Sequence, residues 1–291
     1  METSELLKKV RKIEIKSRGL TRHIFAGQYH SAFKGKGIAF SEVREYQYGD
    51  DIRSIDWNVT ARLRHPFIKV FDEERELTVM LLIDVSASNQ FGTQVQFKQE
   101  LITEIAAVLA FSAINNNDKV GVVFFSDKIE KFIPPKKGSS HILRIVSELL
   151  NFKPQNKGTN ISEVLRFITN AIKKRSTVFL LSDFMTHQFN DAMKIANSKH
   201  DMVAMRIFDP CETELPNVGL MKVVDAESGK QQWMDTSNTN LRNMYVQKWK
   251  QHEAYLKDVL AKSGVDMVHI TNGEDYVKPL LKFFKMRGAR H

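Results

Sequence analysis

Two acidic and three hydroxyl side chains of this sequence are spaced in a way that could hold a metal ion. An apolar run ends at Asp84, and serines follow at the second and fourth positions after it, so an extended chain would place all three groups on one side. A second apolar run ends at Asp183, and a threonine stands in the polar loop at 153–160 that precedes it. The candidate metal ligands are Asp84, Ser86, Ser88, Thr159 and Asp183.

The chemistry that these residues could carry out is the binding of a hard divalent cation. Such ions prefer oxygen ligands, and Mg²⁺ keeps several waters in near-octahedral geometry. Hydroxyl ligands add no charge, so direct binding by the serines and the threonine, with both carboxylates acting mostly through water, would leave the ion positively charged. We therefore expect one divalent cation, most readily Mg²⁺ with Mn²⁺ or Ca²⁺ as alternatives, and a carboxylate from a partner protein as its last ligand.

The surrounding sequence predicts the sheet that would bring these residues together. Near-continuous apolar runs, as in parallel strands buried on both faces, alternate with segments of helical periodicity. We predict strands at 77–84, 119–126, 129–133, 176–183, 201–208 and 265–270, and helices at 94–115, 139–151, 161–174, 188–199 and 238–262. This alternation is typical of an α/β fold with a doubly wound, mostly parallel sheet of the Rossmann type. Ligands bind such sheets beyond the carboxyl ends of the strands, where strand order reverses, which would place Asp84 and Asp183 together.

Residues 27–76 differ from the rest of the chain, because glycines, aromatic residues and alternating charges replace the regular apolar pattern. They predict a layer of loops and hairpins in which arginines and aspartates form an ion-pair network that attaches this block to the core, rather than binding a partner directly, and in which Trp57 lies in a core. The motifs in this stretch are Phe33-x-Gly35-x-Gly37-x-x-Phe40, Glu42-Val43-Arg44-Glu45-Tyr46, Gly49-Asp50-Asp51-Ile52-Arg53, Ile55-Asp56-Trp57 and Ala61-Arg62. They resemble the bacterial family called domain of unknown function fifty-eight, and the resemblance runs from about residue 20 to residue 235.

The combination of Asp84-x-Ser86-x-Ser88 with Gly158-Thr159 and Ser182-Asp183 resembles the metal-ion-dependent adhesion site of von Willebrand factor A domains. This resemblance implies a von Willebrand factor A-like fold. Members of the bacterial family are typically encoded beside MoxR-type AAA+ ATPases, which implies such an ATPase as a partner. We interpret the protein as a non-enzymatic, metal-dependent protein-binding adaptor in protein maturation, complex assembly or metal insertion.

Two alternative functions stay open at this point, a metal-dependent phosphatase or hydrolase and a nucleic-acid-binding protein. An acid at the end of an apolar strand also opens the haloacid dehalogenase-type phosphatase motif, but Ser86 stands where that motif has a second aspartate, its general acid. The formal net charge of +9 would attract nucleic acid or anionic lipid as well as an acidic protein surface, but no nucleic-acid-binding motif accompanies it. We therefore expect no enzymatic activity and no nucleic acid as partner.

The sequence also predicts a division into domains and a cellular compartment. We interpret residues 1–76 as an N-terminal amphipathic helix at 5–17 and an accessory layer, residues 77–275 as the von Willebrand factor A-like domain with a small β-hairpin insertion at 220–235, and residues 276–291 as a basic C-terminal tail. No window approaches the ~18 consecutive apolar residues of a membrane helix, which leaves only peripheral membrane contact open. The single Cys211 fits a reducing compartment, so we expect a cytoplasmic protein.

Overall fold

Residues 39–72 form an antiparallel hairpin with a short helix between its strands. The computed structural model of the protein describes residues 39–72, 77–90, 97–186, 188–225 and 229–289, so the helix predicted at 5–17 lies outside the described residues. The elements of this first unit are β1 (Ala39–Glu45), a 3-10 turn (Ile52–Ser54), helix α1 (Trp57–Leu63) and β2 (Phe67–Asp72). The predicted hairpin layer is therefore present.

Local hydrogen bonds shape this hairpin unit. Helix α1 begins where the Asp56 carboxylate accepts hydrogen bonds from the N–H groups of Asn58 and Val59, which would otherwise lack partners. Within this unit, Arg44 donates to both carboxylate oxygens of Asp50 at 2.7 and 2.8 Å. The prediction that Trp57 lies in a core is wrong, since the residue is 67% exposed and none of the residues of α1 is buried.

The apolar runs from residue 77 onward form the strands of a second unit. These strands are β3 (Thr78–Asp84), β4 (Lys119–Phe125), β5 (Ile129–Lys136), β6 (Thr177–Ser182), β7 (Asp201–Phe208), β8 (Leu220–Val224), β9 (Gln231–Asp235) and β10 (Asp266–Thr271). Six of them build one sheet in the order β10-β7-β6-β3-β4-β5, in which β5 alone runs antiparallel to its neighbour. The remaining two, β8 and β9, form the predicted hairpin insertion.

Helices cover both faces of the six-stranded sheet. They are α2 (Lys98–Asn115), α3 (Ser139–Asn151), α4 (Ile161–Ala171), α5 (Asn190–Lys199), α6 (Thr239–Ser263) and α7 (Val277–Gly288). In β3, Leu81 and Ile83 pack with α2, α3 and α7, whereas Met80 and Leu82 pack with α4, α5 and α6. The predicted α/β class with a doubly wound, mostly parallel sheet is confirmed. The strand order reverses at β3, because β4 lies on one side of it and β6 on the other.

Strand β5 runs further than the sequence predicts. The sequence pattern predicts its end at residue 133, but pairing continues through Pro134 and Pro135 to Lys136. The reason is position, since β5 is an edge strand and the register shifts between Val120 and Val122 of β4, opposite the prolines. Proline is tolerated at edges and bulges because no ladder hydrogen bond needs its missing N–H.

The C-terminal segment is a packed helix, which corrects the prediction of a basic tail at 276–291. Helix α7 buries Leu280, Phe283 and Phe284 in the core on the α2 face of the sheet. Arg287 near its end forms ion pairs with Asp201 and Asp266. The basic residues alone suggest a solvated tail. The apolar residues between them have helical spacing, however, and their burial stabilises a helix that packs on the core.

Gly121 of β4 lies where a larger side chain would overpack the core. A Cβ at this position would lie 2.7 Å from Met80 Sδ and 2.9 Å from the backbone nitrogen of Pro135. We expect Gly121→Ala to lower the free energy of unfolding by about 1–3 kcal/mol, the usual range for overpacking a core. Urea denaturation measures the effect, and Gly158→Ala is the control, because its nearest neighbour would be Asp127 Cβ at 3.6 Å. Equal stability of the two variants would contradict the prediction.

Candidate metal centre

The two candidate carboxylates lie at the same edge of the sheet. Asp84 is the last residue of β3 and Asp183 follows directly on β6, and these strands are parallel neighbours with Ile83 paired to Leu181. Both carboxylates are almost fully buried, each residue being 1% exposed. Ser182 donates a hydrogen bond of 2.6 Å from its hydroxyl to Asp84 Oδ2, which ties the two strand ends together.

The turn after β3 places the two serines above Asp84. The Ser86 N–H donates to Asp84 Oδ1 at 3.0 Å, and the Asn89 amide donates to the Asp84 carbonyl at 3.0 Å. These bonds turn the chain so that the hydroxyl oxygens of Ser86 and Ser88 stand 3.0 Å apart. Neighbouring ligands of an octahedral Mg²⁺ at 2.0–2.1 Å are about 3 Å from each other. The serine pair therefore has the spacing of two adjacent ligands of such an ion.

The loop that carries Thr159 is attached to the same edge at both ends. On one side the Lys157 carbonyl accepts a hydrogen bond of 3.0 Å from the Ala87 N–H, within the serine turn. On the other side the Asn160 N–H donates to the carbonyl of Ser126, directly after β4, at 2.9 Å. Thr159 lies between these two attachments and is half-buried. All five predicted ligands are thus positioned at one edge of the sheet.

Glu130 is a positioning residue that the sequence analysis missed. Its carboxylate accepts hydrogen bonds from the Ser126 hydroxyl at 2.8 Å and from both the N–H and the side-chain amide of Asn156 at 3.0 Å. These bonds hold the loop at residues 153–160 against the end of β4. Burial opposes the ionisation of Glu130, but these three donors and the Gln155 N–H, at 3.3 Å, outweigh it and lower the pKa of this carboxyl.

Lys98 is the second residue that the sequence analysis missed. It is the first residue of α2 and is fully buried, with its Nζ 3.0 Å from Asp183 Oδ2 and 2.6 Å from Glu212 Oε1. One signal could have found it, since Lys98 precedes Leu101 and Ile102 by three and four residues and so lies on the apolar side of the helix. A lysine on a buried helical face requires a carboxylate partner.

The two carboxylates of the site differ in ionisation. Burial raises the pKa of Asp84 to about 7, and the charge of Asp183 adds to the rise. Burial also opposes the ionisation of Asp183, but the Lys98 ammonium and the Met185 N–H outweigh it and hold the pKa of that carboxyl below its ordinary value. A divalent cation bound here would favour the ionised form of both groups, because opposite charge stabilises a carboxylate.

The turn after Asp183 has a strained backbone. Phe184 has a φ of 58°, a left-handed conformation that is unusual for a bulky residue. Its ring is fully buried, and its carbonyl accepts a hydrogen bond of 2.8 Å from His252 Nε2 on α6. The next residue, Met185, donates its N–H to Asp183 Oδ1 at 3.1 Å and is 49% exposed. The turn thus orients the Asp183 carboxylate and directs Met185 outward.

A cavity of about 560 Å³ opens beside this turn. Its walls come from the turn after Asp183 and from one side of α6. The lining residues are Met185, Tyr245, Lys248, Trp249, Gln251, His252 and Tyr255. Beneath it, the buried guanidinium of Arg206 lies 4.7 Å from the ring centre of Trp249. The cavity is therefore lined largely by aromatic residues, with Lys248 at its surface and Arg206 below it.

Two properties of the described residues bear on binding. Among these residues, no group of three or more histidine, cysteine, aspartate or glutamate side chains could hold a metal ion. A cation bound at the Asp84–Asp183 edge would therefore need the hydroxyl oxygens, as the sequence predicts. Among the same residues, no helix combines the length and the apolar character that a membrane crossing needs.

Comparison with known proteins identifies the family. The uncharacterized protein Rv1480 of Mycobacterium tuberculosis is 25% identical over 295 residues, which cover 99% of this chain and 92% of that protein. Among solved structures, BatB from Bacteroides thetaiotaomicron is 16% identical, with a TM-score of 0.49 over 74% of this chain and 100% of that one. The SpRpn10 VWA domain is 11% identical, with a TM-score of 0.42 over 72% of this chain and 95% of that one. A family model described as "Protein of unknown function DUF58" matches residues 42–255, and this chain belongs to that family.

Proposed function

We propose that this protein is a metal-dependent protein-binding adaptor without catalytic activity of its own. One observation carries the proposal, the pair of serine hydroxyls 3.0 Å apart beside two buried carboxylates. Uncharged ligands at that position leave a bound divalent cation with positive charge, which favours an anionic group as the next ligand. A carboxylate of a partner protein would be that ligand.

The five residues of the centre would have two roles in this proposal. Ser86, Ser88 and Thr159 would bind the cation, most readily Mg²⁺, while Asp84 and Asp183 would act mainly through its waters. The cation would supply the positive charge that holds the partner's carboxylate. The carboxylate oxygens of Asp84 and Asp183 already accept hydrogen bonds from the protein, which favours an indirect role for them.

The cavity beside the Asp183–Met185 turn supports a protein as the partner. Aromatic residues and methionine are enriched in protein interfaces, and this cavity combines Met185 with Tyr245 and Trp249. Lys248 at its surface and Arg206 beneath Trp249 add positive charge. An acidic segment of the partner, with an apolar side chain close to its carboxylate, would therefore match both the centre and the cavity.

The partner that we propose is a MoxR-type AAA+ ATPase in the cytoplasm, since the family resemblance implies one. With it, the adaptor would serve protein maturation, complex assembly or metal insertion. We infer no hydrolase activity, because Ser86 takes the position at which a phosphatase of this strand arrangement would need a second aspartate.

The test of this proposal is the affinity of the full chain for a MoxR-type ATPase in Mg²⁺ and then in EDTA. We expect binding in Mg²⁺ and a loss of at least about tenfold in EDTA, because a bridging cation contributes a ligand bond that chelation removes. The ATPase is used without nucleotide, since EDTA would otherwise also strip Mg²⁺ from bound ATP. Equal affinity in both buffers would contradict metal dependence. Phosphate-ester hydrolysis that disappears in Asp84→Ala would favour the hydrolase alternative.

A further inference from the structure

A buried lysine joins the candidate metal centre to the turn after β7. Lys98 Nζ lies 3.0 Å from Asp183 Oδ2 and 2.6 Å from Glu212 Oε1. Glu212 is itself held in place, because its Oε2 accepts a hydrogen bond of 2.9 Å from the Asp209 N–H in the 3-10 turn Pro210–Glu212. Asn272, directly after β10, donates to the other side of that turn through Asp209 Oδ2 at 2.9 Å.

This arrangement provides positive charge where the centre would otherwise be strongly negative. Asp84, Asp183 and Glu212 are acidic, and two carboxylates as close as Asp84 and Asp183 disfavour each other's ionisation in a buried site. The Lys98 ammonium offsets part of this charge by direct contact. Burying an ammonium is unfavourable unless carboxylates pair with it, and here two of them do. The metal-free protein thus contains its own counter-ion.

We propose that Lys98 is a built-in counter-ion that weakens cation binding at the Asp84–Asp183 site. The inference rests on the proposed function, in which a divalent cation occupies that site. A cation entering the site is repelled by Lys98 and meets an Asp183 carboxylate that is already paired. Loading is therefore weak in the isolated protein, and the carboxylate of a partner supplies the missing negative charge. Metal and partner would bind cooperatively.

The experiment measures the dissociation constant of Mn²⁺ alone, by calorimetry or electron paramagnetic resonance, for the full chain and its variants. We expect Lys98→Met to bind Mn²⁺ at least about tenfold more tightly than the unaltered protein, which corresponds to about 1.4 kcal/mol. Ser88→Ala added to Lys98→Met should abolish that gain, which assigns it to this site. The control is Lys262→Met, which removes an exposed lysine at the end of α6, directly before β10 and so at the opposite edge of the sheet.

A second variant tests the proposal from the other side, in case Lys98→Met does not fold. Glu212→Gln keeps the Lys98–Asp183 contact but removes one negative charge and leaves Lys98 to Asp183 alone. We expect it to bind Mn²⁺ at least about threefold more weakly, since one carboxylate instead of two then balances the positive charge of Lys98. Unchanged or tighter binding by Glu212→Gln would overturn the inference.

The outcomes separate this inference from the proposed function. If the unaltered protein binds Mn²⁺ and a folded Lys98→Met binds it no more tightly, the role of Lys98 is refuted while the metal centre stands. If neither protein binds Mn²⁺ at millimolar concentration, the metal centre is refuted and this inference with it. A gain in Lys98→Met that Ser88→Ala removes supports both.

Discussion

Thr159→Ala is expected to weaken the binding of the partner in Mg²⁺ by at least about tenfold, as chelation does. The hydroxyl of Thr159 is one of three uncharged ligands of the proposed cation, and alanine offers no oxygen to replace it. The fold should persist, because Thr159 is half-buried in a loop that backbone hydrogen bonds at Ala87 and Ser126 hold in place. The free energy of unfolding in EDTA should change by no more than about 1 kcal/mol.

The measurement for Thr159→Ala is the affinity for the MoxR-type ATPase with its nucleotide and Mg²⁺ present. This variant avoids chelation, so the ATPase keeps its own metal. Thr169→Ala is the matched control, since Thr169 is also half-buried and its hydroxyl donates only to the Leu165 carbonyl, within α4, at 2.7 Å. If Thr159→Ala binds as well as Thr169→Ala, the partner uses another face of the protein.

Asp183→Ala is expected to cause the largest loss of stability, about 3 kcal/mol in metal-free buffer. The substitution breaks a buried ion pair and leaves the Lys98 ammonium with Glu212 alone. This loss lies near the lower end of the range for breaking a buried ion pair. Glu212 still neutralises the lysine, and the repulsion between Asp183 and Asp84 is removed.

Urea denaturation in EDTA measures this loss. The matched control is Asp258→Ala, because Asp258 forms an exposed pair with Lys262 at 2.8 Å on α6, and such pairs contribute little. We expect the control to change the free energy of unfolding by no more than about 0.5 kcal/mol. A loss below about 1 kcal/mol in Asp183→Ala would show that the Lys98 pair does not stabilise the fold.

Much of the candidate site follows from local pattern and general sheet geometry. Parallel strands that are buried on both faces read as apolar runs, so β3 and β6 could be predicted with the acids at their ends. The placement of Asp84 beside Asp183 then needs only the rule that ligands bind where strand order reverses. Helical periodicity predicts α2 through α6 in the same way. The predicted end of β5 is wrong, because the sequence of one strand does not show whether it lies at the edge of the sheet.

The sequence by itself determined the α/β class, the strands of the six-stranded sheet apart from the end of β5, and the five candidate ligands, because each depends on neighbours along the chain. Only the tertiary structure decided the ion pairs of Lys98, whose partners Asp183 and Glu212 are 85 and 114 positions away. It also decided the left-handed turn at Phe184, which a buried ring and the His252 hydrogen bond hold. Such features arise where helices pack on the sheet, and which distant charges then meet depends on the packing of whole elements rather than on any local pattern.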